Sequence, residues 1–467
     1  MSASEEITTK YEPFSNKRMM AYSLNAVILG MMWSIRNWIQ LYAAKAMGIP
    51  VLYVVLIFGI YVIWDAVNDP LTGNLLDRSS KFTSKYGKRF PFIVIGIFGA
   101  CLCLSMLYVP ITYDPLLAAL WILAIIVIYD MFQTIYELSV RGLTVDMFRD
   151  QEQRVKLSTI SHIIAGIGSI SMAIIIPTIL GIFGGVTEPS AYFNMGLLVV
   201  FIILILSIPH IWSVREPDEM KELRTRLSEK GKSSSPPKEM IIRALKDRNW
   251  VGFIIAYVTW LVEIACVTVG LGFYLIDGLG LSISMIGLPI AAFLIVGFTI
   301  VPIWMKIAKR LGLRKTYFYA LILTAITTAS FIFATNYTIL IILAAIGGIA
   351  HGGQGVILHA IYSEAIDNAT LKSGIREESS YVGIMRFFSA TALFWQILIF
   401  AIVGTITGYD PQLGTENSKF AKLGLLLQMS IVPATIMLVS SLIFFKLYDI
   451  TKEISINNQK KLIEMDL

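Results

Sequence analysis

Long apolar stretches, separated by short polar ones, run through almost the whole chain. A helix that crosses a bilayer needs about 20 apolar residues. Stretches of that length lie at 19–44, 50–76, 90–110, 115–141, 158–183 and 193–213, and again at 250–276, 283–308, 316–336, 338–362, 379–407 and 423–447. The pattern predicts an all-α membrane protein of about 12 transmembrane helices in two six-helix bundles.

The same pattern divides the chain into five parts. We predict an N-terminal tail at 1–18, a first bundle at 19–213, a linker at 214–249, a second bundle at 250–447 and a C-terminal tail at 448–467. The linker is rich in Lys, Arg, Ser and Pro, as is typical of a solvated connection. Of the 467 residues, 56% are hydrophobic and only 15% are charged, which argues against a soluble protein. The first stretch is too long for a signal peptide, so we expect no cleaved leader.

Basic residues are concentrated in alternate loops. One side carries them at 10–18, 78–89, 149–156, 306–315, 372–376 and 452–461, whereas the other side holds Lys45, Lys419 and Lys422. By the positive-inside rule, both termini and the linker face the cytoplasm of a multi-pass protein in the cell membrane. The net charge of +6 then reflects topology. The basic loops lack interleaved aromatic residues, so we expect no nucleic-acid partner.

Two acids lie within the second apolar stretch. Asp65 and Asp69 are one helical turn apart and share a face, with Asn68 beside them. A carboxylate inside a bilayer costs about 3 kcal/mol or more, so such residues normally face a cavity, an ion or a partner. The alternative is a helix end that reaches water.

The fourth stretch carries a polar stripe. Asp130, Thr134, Glu137 and Arg141 recur at steps of three and four and therefore share one helix face. The stripe predicts a binding surface, although an internal pair of Glu137 with Arg141 would explain part of it. In the first stretch, Arg36 is either a cation that faces a cavity or an anchor that reaches the membrane surface.

The second half has fewer charges inside its apolar stretches. Glu263 has no adjacent cation on its own helix, and we expect it to contribute to a substrate site, where it could face Arg386. His351 and His359 lie on the predicted tenth helix. Each is either a packing residue or a proton or substrate ligand.

Two loops half a chain apart look alike. Asp77-Arg78 with Lys88-Arg89 follows the second helix, and a basic run at 305–315 follows the eighth. Both resemble the loop of the major facilitator superfamily that pairs acidic and basic side chains and serves conformational gating. Two copies indicate two related six-helix halves.

Three motifs carry a closer resemblance. They are Trp-Asp-Ala-Val-Asn-Asp-Pro at 64–70 with the loop at 87–91, the segment from 137 to 158, and Ser-Gly-Ile-Arg-Glu-Glu-Ser at 373–379, which includes Arg376. Together they resemble the glycoside-pentoside-hexuronide:cation symporters, the melibiose permease family. The resemblance covers nearly the whole chain.

The resemblance implies roles for individual residues. The family's coupling-cation ligands fall on Asp65, Asn68, Asp69 and Thr134, and its sugar-binding acid falls on Glu137. Its stacking tryptophan is Arg141 here and its helix 11 lysine is an alanine at 390, with Arg386 one turn earlier. The cation site is thus kept and the galactoside site is altered.

The function that the resemblance implies is symport of a sugar, glycoside or related small polar solute with Na⁺ or H⁺. We expect Arg36, Asp130, Glu137, Arg141, Glu263 and Arg386 at the substrate site, and Asp77, Arg78, Lys88, Arg89 and Arg376 in gating. We expect a monomer in the lipid bilayer, with no cofactor and no metal beyond a coupling Na⁺.

Two alternatives to symport are an enzyme and a relative of the family with another role. An enzyme is disfavoured, because the predicted helices show no nucleophile with a base and no metal triad. The three cysteines, Cys101, Cys103 and Cys266, lie in apolar stretches and favour reduced packing residues. A relative that handles lipids or other solutes, or a membrane sensor, would keep the fold without sugar transport.

Overall fold

A computed structural model describes residues 14–78, 87, 89–148, 151–216, 244–373 and 378–464. Apart from turns and short connections, these residues are helical. Most of the predicted linker lies outside the described residues, as do Lys88 and Arg376.

The described residues of the first half include six long helices. They are α1 (Asn16–Arg36), α2 (Val51–Arg78), α3 (Phe90–Leu107), α4 (Pro115–Met147), α5 (Gln151–Ile182) and α6 (Pro189–Ser213). Between α1 and α2 the chain makes a short helical turn, Ile39–Leu41, and a wider π-helical turn, Tyr42–Ala46. Several helices extend beyond the apolar stretches into polar sequence. The backbone hydrogen bonds of a helix do not require apolar side chains, so the helix continues there.

The second half contains two interrupted helices. Its elements are α7 (Arg248–Phe273), α8a (Gly287–Thr299), α8b (Val301–Leu311), α9 (Leu313–Ser330), α10 (Tyr337–Ser373), α11 (Glu378–Thr407), α12a (Lys419–Met429), α12b (Ile431–Leu447) and α13 (Lys452–Glu464). The axes of α8a and α8b differ by 44°. Pro302 follows the break at once, and proline removes a helix hydrogen bond.

Polar side chains fix several helix starts. Asp114 caps α4, where its Oδ1 accepts a hydrogen bond of 2.9 Å from the backbone N–H of Leu117. Asp247 caps α7 through the N–H of Asn249, also at 2.9 Å. Acids at these positions satisfy backbone donors that have no partner within the helix.

The described residues include ten helices that are long and apolar enough to cross a membrane, or 11 if α8a and α8b count as one span. The remaining predicted span is α1, which has 21 residues but falls outside that set. Its polar residues, among them Asn25, Ser34 and Arg36, explain the difference from the 12 spans expected. The protein is a multi-pass membrane protein with an all-α fold.

The chain forms two compact units. Unit 1 comprises 1–42 and 63–233, and unit 2 comprises 43–62 and 234–467. In unit 1, α1 packs against α5 and α6, and α3 packs against α4. In unit 2, α10 packs against α8a and α9, and α12b packs against α7 and α9. The π-helical turn and the first part of α2 thus belong to unit 2.

The predicted C-terminal tail contains the helix α13, which packs on α10. The side-chain amide of Asn458 donates to Asn368 on α10 at 3.3 Å. The ammonium of Lys452 donates to the carbonyl oxygen of Lys309 at 2.8 Å. These contacts attach the tail to unit 2.

Candidate functional site

A polar cluster joins α2 and α4 inside unit 1. The amide Nδ2 of Asn68 donates to Asp130 Oδ2 at 2.9 Å and to Thr134 Oγ1 at 3.1 Å. Thr134 donates to Asp69 Oδ1 at 3.2 Å, and Thr72 donates to the Asn68 carbonyl oxygen at 2.9 Å. The structure thus brings together three of the four predicted cation ligands with Asp130. Thr72 was missed, although its position one turn after Asn68 in an apolar helix is a sequence signal.

Asp65 lies one turn before Asp69 on α2, and both acids are half-buried. The described residues contain no group of three or more His, Cys, Asp or Glu side chains arranged to hold a metal ion. A cation here would therefore depend on the oxygens of Asn68 and Thr134 as well as on carboxylates. Carboxylate, amide and hydroxyl oxygens are suitable ligands for a hard cation, and a carboxylate can also take a proton.

Arg36 extends this cluster to α1. Its Nη1 lies 3.3 Å from Asp130 Oδ1, and both side chains are buried. The guanidinium also lies over the ring of Trp33, with 3.9 Å between the guanidinium carbon and the ring centroid. Arg36 is therefore directed into unit 1 and is not an anchor at the membrane surface. As a permanent cation it offsets the charge of Asp130.

Glu137 and Arg141 form the pair that the sequence suggested. Arg141 Nη2 lies 2.6 Å from Glu137 Oε1. The glutamate side chain is 5% exposed, whereas the arginine side chain is 60% exposed. The pair therefore presents a buried carboxylate beneath an accessible guanidinium.

Glu263 is directed toward α9 and α10 of unit 2. Its Oε1 accepts a hydrogen bond of 2.5 Å from Thr328, and its Oε2 lies 3.0 Å from Nε2 of His351. The partners of the Glu263 carboxylate are thus Thr328 and His351, and not Arg386, which the sequence suggested could face it. Arg386 is half-buried on α11 and has interactions of its own.

Among the predicted gating residues, Arg89 has a defined backbone hydrogen bond. The backbone N–H of Arg89 donates to Glu216 Oε1 at 2.8 Å. This carboxylate fills the space beside Gly87, whose φ is +89° and where a Cβ atom would lie 2.6 Å from Glu216 Cδ. A residue with a side chain would be strained and would clash there. Glu216 was not among the predicted residues, because it lies at the edge of the polar linker.

The remaining gating predictions, Lys88 and Arg376 together with the side chains of Asp77 and Arg78, fall outside the described residues. They stay predictions from the sequence.

The buried ion pair of Lys45 with Asp277 was not predicted from the sequence. In unit 2, Lys45 Nζ lies 2.7 Å and 2.5 Å from the two carboxylate oxygens of Asp277, and both side chains are buried. Lys45 also donates to the carbonyl oxygen of Pro411, and the Tyr409 hydroxyl donates to Asp277. Burial, together with the Asp277 charge, raises the pKa of Tyr409 above its ordinary value, so the hydroxyl keeps its proton. We call these four residues the Lys45 cluster.

Comparisons with known proteins show the family and the fold. A family model described as MFS/sugar transport protein matches residues 21–452. The isoprimeverose transporter of Lactiplantibacillus pentosus is 23% identical over 411 residues, which cover 85% of this chain and 79% of that protein.

Two solved structures illustrate the likeness in fold. The nucleoside transporter NupG matches with a TM-score of 0.66 at 11% identity, over 93% of this chain and 100% of that chain. The inward open xylose transporter XylE from E. coli matches with a TM-score of 0.63 at 10% identity, over 95% of this chain and 98% of that chain. At these identities the likeness shows the fold alone.

Proposed function

The chain belongs to the MFS/sugar transport protein family, and we propose that it couples uptake of a sugar or related small polar solute to a cation by alternating access. That it is a membrane transporter and not an enzyme follows from the family itself. The observation that carries cation coupling is the hydrogen-bonded cluster of Asn68, Asp69 and Thr134 next to Asp130. Coupling also accounts for carboxylates kept inside apolar helices.

The coupling has a simple electrostatic basis. Asp65 and Asp69 are two acids one turn apart on a helix that is otherwise apolar. Two like charges in a medium of low dielectric constant disfavour each other. A bound Na⁺ or proton relieves this repulsion and so lowers the cost of closing the site around a solute. Because Arg36 already offsets Asp130, the charge left for an added cation is mainly that of the α2 acids.

The substrate class follows from the relatives and from unit 1. A transporter of isoprimeverose is a relative over most of the chain, which favours a sugar. Glu137 and Arg141 supply a charged acceptor and a charged donor within one turn of α4. Hydrogen bonds from sugar hydroxyls to such groups are worth about 1.5–3 kcal/mol each. We place the substrate at this pair, with Arg36 and Asp130 beside the cation ligands.

We further propose that the protein lies in the cell membrane with both termini and the linker in the cytoplasm. This orientation rests on the uneven distribution of Lys and Arg among the loops.

The test uses Asp69→Asn in proteoliposomes. Uptake of radiolabelled xylose and isoprimeverose would be measured with an inward Na⁺ gradient, an inward proton gradient, and no gradient. We expect the parent protein to accumulate one of the sugars under one of the gradients. In Asp69→Asn, accumulation should fall at least tenfold, while exchange of sugar without a gradient persists.

The matched control is Asp114→Asn. Asp114 is an exposed helix cap on α4, and asparagine caps a helix about as well as aspartate. This variant should transport like the parent. Unchanged accumulation in Asp69→Asn would contradict the proposal, since the aspartate charge would then have no part in coupling.

A further inference from the structure

A second buried ionisable pair lies in unit 2, on helices that carry none of the proposed cation ligands. It consists of Glu263 on α7 and His351 on α10, with Oε2 and Nε2 3.0 Å apart. Thr328 on α9 donates to the other glutamate oxygen. The glutamate side chain is 1% exposed and the histidine side chain 11%. An ionisable group inside a membrane helix is costly, and its presence calls for a function.

The contacts of His351 bear on the number of protons at this pair. Nδ1 of His351 lies 3.3 Å from the backbone carbonyl oxygen of Gly347, and Nε2 lies 3.0 Å from Glu263 Oε2. A carbonyl oxygen only accepts, so Nδ1 carries a hydrogen when it bonds Gly347, whereas a neutral ring that donates to Glu263 carries its hydrogen on Nε2. Both bonds form together only when the pair holds one proton more than a neutral imidazole beside a carboxylate.

The extra proton belongs to the pair. If it lies on Nε2, the pair is an imidazolium and a carboxylate; if it lies on Oε2, both groups are neutral. In either form the pair has zero net charge and holds one proton more than a neutral histidine beside a carboxylate. Loss of that proton would leave one negative charge in the interior of unit 2.

The surroundings of the pair are largely apolar. The ring centroid of Phe293 on α8a lies 4.8 Å from that of His351, and the Trp260 ring on α7 lies at 6.3 Å. The nearby polar groups on α9 and α10 are Thr324 and Gln354, which bond to each other. None of these side chains carries a charge that would replace the proton.

The other ionisable groups on the packed helices are accounted for within the described residues. Cys266 lies one turn beyond Glu263 on α7, and Arg386 on α11 has partners of its own. The other charged groups lie toward helix ends: Arg248 on α7, Lys306, Lys309 and Arg310 on α8b, Arg314 and Lys315 on α9, Glu364, Asp367 and Lys372 on α10, Lys419 and Lys422 on α12a, and Lys446 on α12b. The proton is therefore the cation that balances Glu263.

We propose that Glu263 and His351 form a proton-binding site in unit 2, separate from the cation ligands of α2 and α4. The site takes one proton between Nε2 and Oε2, and Thr328 holds the carboxylate in place. It gives the transporter a second cation site whose ligand is H⁺, whichever ion the α2 acids bind.

The experiment is spectroscopic and does not depend on transport. The full chain, labelled with ¹⁵N-histidine, would be studied in lipid nanodiscs at pH 7.5 by NMR for N–H groups on His351, and by infrared spectroscopy for a protonated carboxyl band. The chain has four histidines. His351 is assigned with His351→Gln or, if that variant does not fold, by elimination using His162, His210 and His359.

We expect either a second N–H on His351 or a protonated carboxyl band, and we expect the signal to disappear in Glu263→Gln. Glu364→Gln is the matched control, because Glu364 is another buried glutamate, on α10, bonded to Tyr448. It should leave the signal unchanged. The proposal is overturned if the parent shows neither signal at pH 7.5, or if Glu364→Gln removes it and Glu263→Gln does not. If Glu263→Gln does not fold, the presence or absence of the signal in the parent spectrum decides the test.

Discussion

Removal of the Lys45 ammonium should destabilise unit 2 strongly. Lys45 bonds both oxygens of Asp277, at 2.7 Å and 2.5 Å, and the side chains are only 4% and 0% exposed. Lys45→Met keeps the length of the side chain and removes the charge. It leaves Asp277 as a buried carboxylate with the Tyr409 hydroxyl as its remaining donor. Loss of one partner from a buried ion pair typically costs about 3–5 kcal/mol.

The structure offers a direct assay for this loss. The three cysteines are reduced and buried, and Cys266 lies on α7 of unit 2. A thiol-reactive fluorescent dye therefore reports unfolding of the purified protein on heating. Domains of 150–250 residues lose roughly 2–4 °C per kcal/mol, and larger ones lose less. We expect Lys45→Met to lower the apparent Tm by several degrees.

Two controls separate the ion pair from other effects. Lys372 pairs with Asp247 at 3.2 Å, but its side chain is 55% exposed. The Asp247 side chain is 8% exposed, but without the lysine it keeps the hydrogen bond from the N–H of Asn249. Because the lysine charge is open to water, Lys372→Met should shift the Tm less than Lys45→Met. The double variant Lys45→Met with Asp277→Leu should regain much of the loss, because no unpaired charge remains buried. The reasoning is refuted if Lys45→Met melts like Lys372→Met.

Three further predictions test other parts of the molecule. Glu137→Gln should weaken sugar binding at least tenfold by calorimetry with cation binding intact, because a charge-assisted bond of about 1.5 kcal/mol or more is lost; binding within twofold of the parent would remove Glu137 from the substrate site. Gly348→Ala should destabilise the protein by about 1–3 kcal/mol, since its Cβ would lie 2.3 Å from the Phe293 carbonyl oxygen, while Gly355→Ala, with open space around it, should not; equal melting of the two would contradict the close approach of α8a and α10. Cysteines at Ser234 and Thr415 should react with an impermeant maleimide from opposite sides of the membrane, and labelling from the same side would contradict the topology.

The α2–α4 cluster was largely predictable from the sequence. Asp65, Asn68 and Asp69 interrupt the apolar run of α2. Asp130 and Thr134 interrupt the apolar run of α4 in the same way. In a bilayer such side chains have no water to bind, so they must find each other. The spacing of three and four residues identified the polar face of each helix, whereas the grouping of the two faces into one site came from the resemblance to the symporter family.

Pairs from distant parts of the chain were less predictable. Lys45 and Asp277 are 232 residues apart, and each lies at the end of an apolar stretch, where a charge needs no special explanation. Glu263 was recognised as unusual, but its partner His351 is 88 residues away and was one of two histidines on its helix. Sequence periodicity gives the face on which a side chain lies, whereas the choice of partner depends on how the helices pack.

The breaks in α8 and α12 were likewise not predicted. Each apolar stretch reads as continuous, because hydropathy does not distinguish a straight helix from a bent one. The break between α8a and α8b has a local cause in Pro302, which could have been noted. The break at Ser430, where φ is −121° and ψ is −85°, likewise lies just before a proline, Pro433, which cannot donate to the carbonyl oxygen of Met429.

The buried pairs Arg36–Asp130 and Glu263–His351 differ in one physical respect that bears on the proposed coupling. In unit 1 the pair joins the first and fourth helices of its half through Arg36 and Asp130, and in unit 2 it joins the first and fourth helices of its half through Glu263 and His351. Arginine stays protonated at any physiological pH, so Arg36 is a fixed counter-charge to Asp130, and the coupling proposed above leaves the α2 acids to an exchangeable cation. Histidine is the side chain that most readily exchanges a proton at physiological pH, so the corresponding place in unit 2 suits the proton site proposed above. Together the two proposals give a transporter that responds to a cation gradient and to pH through separate groups.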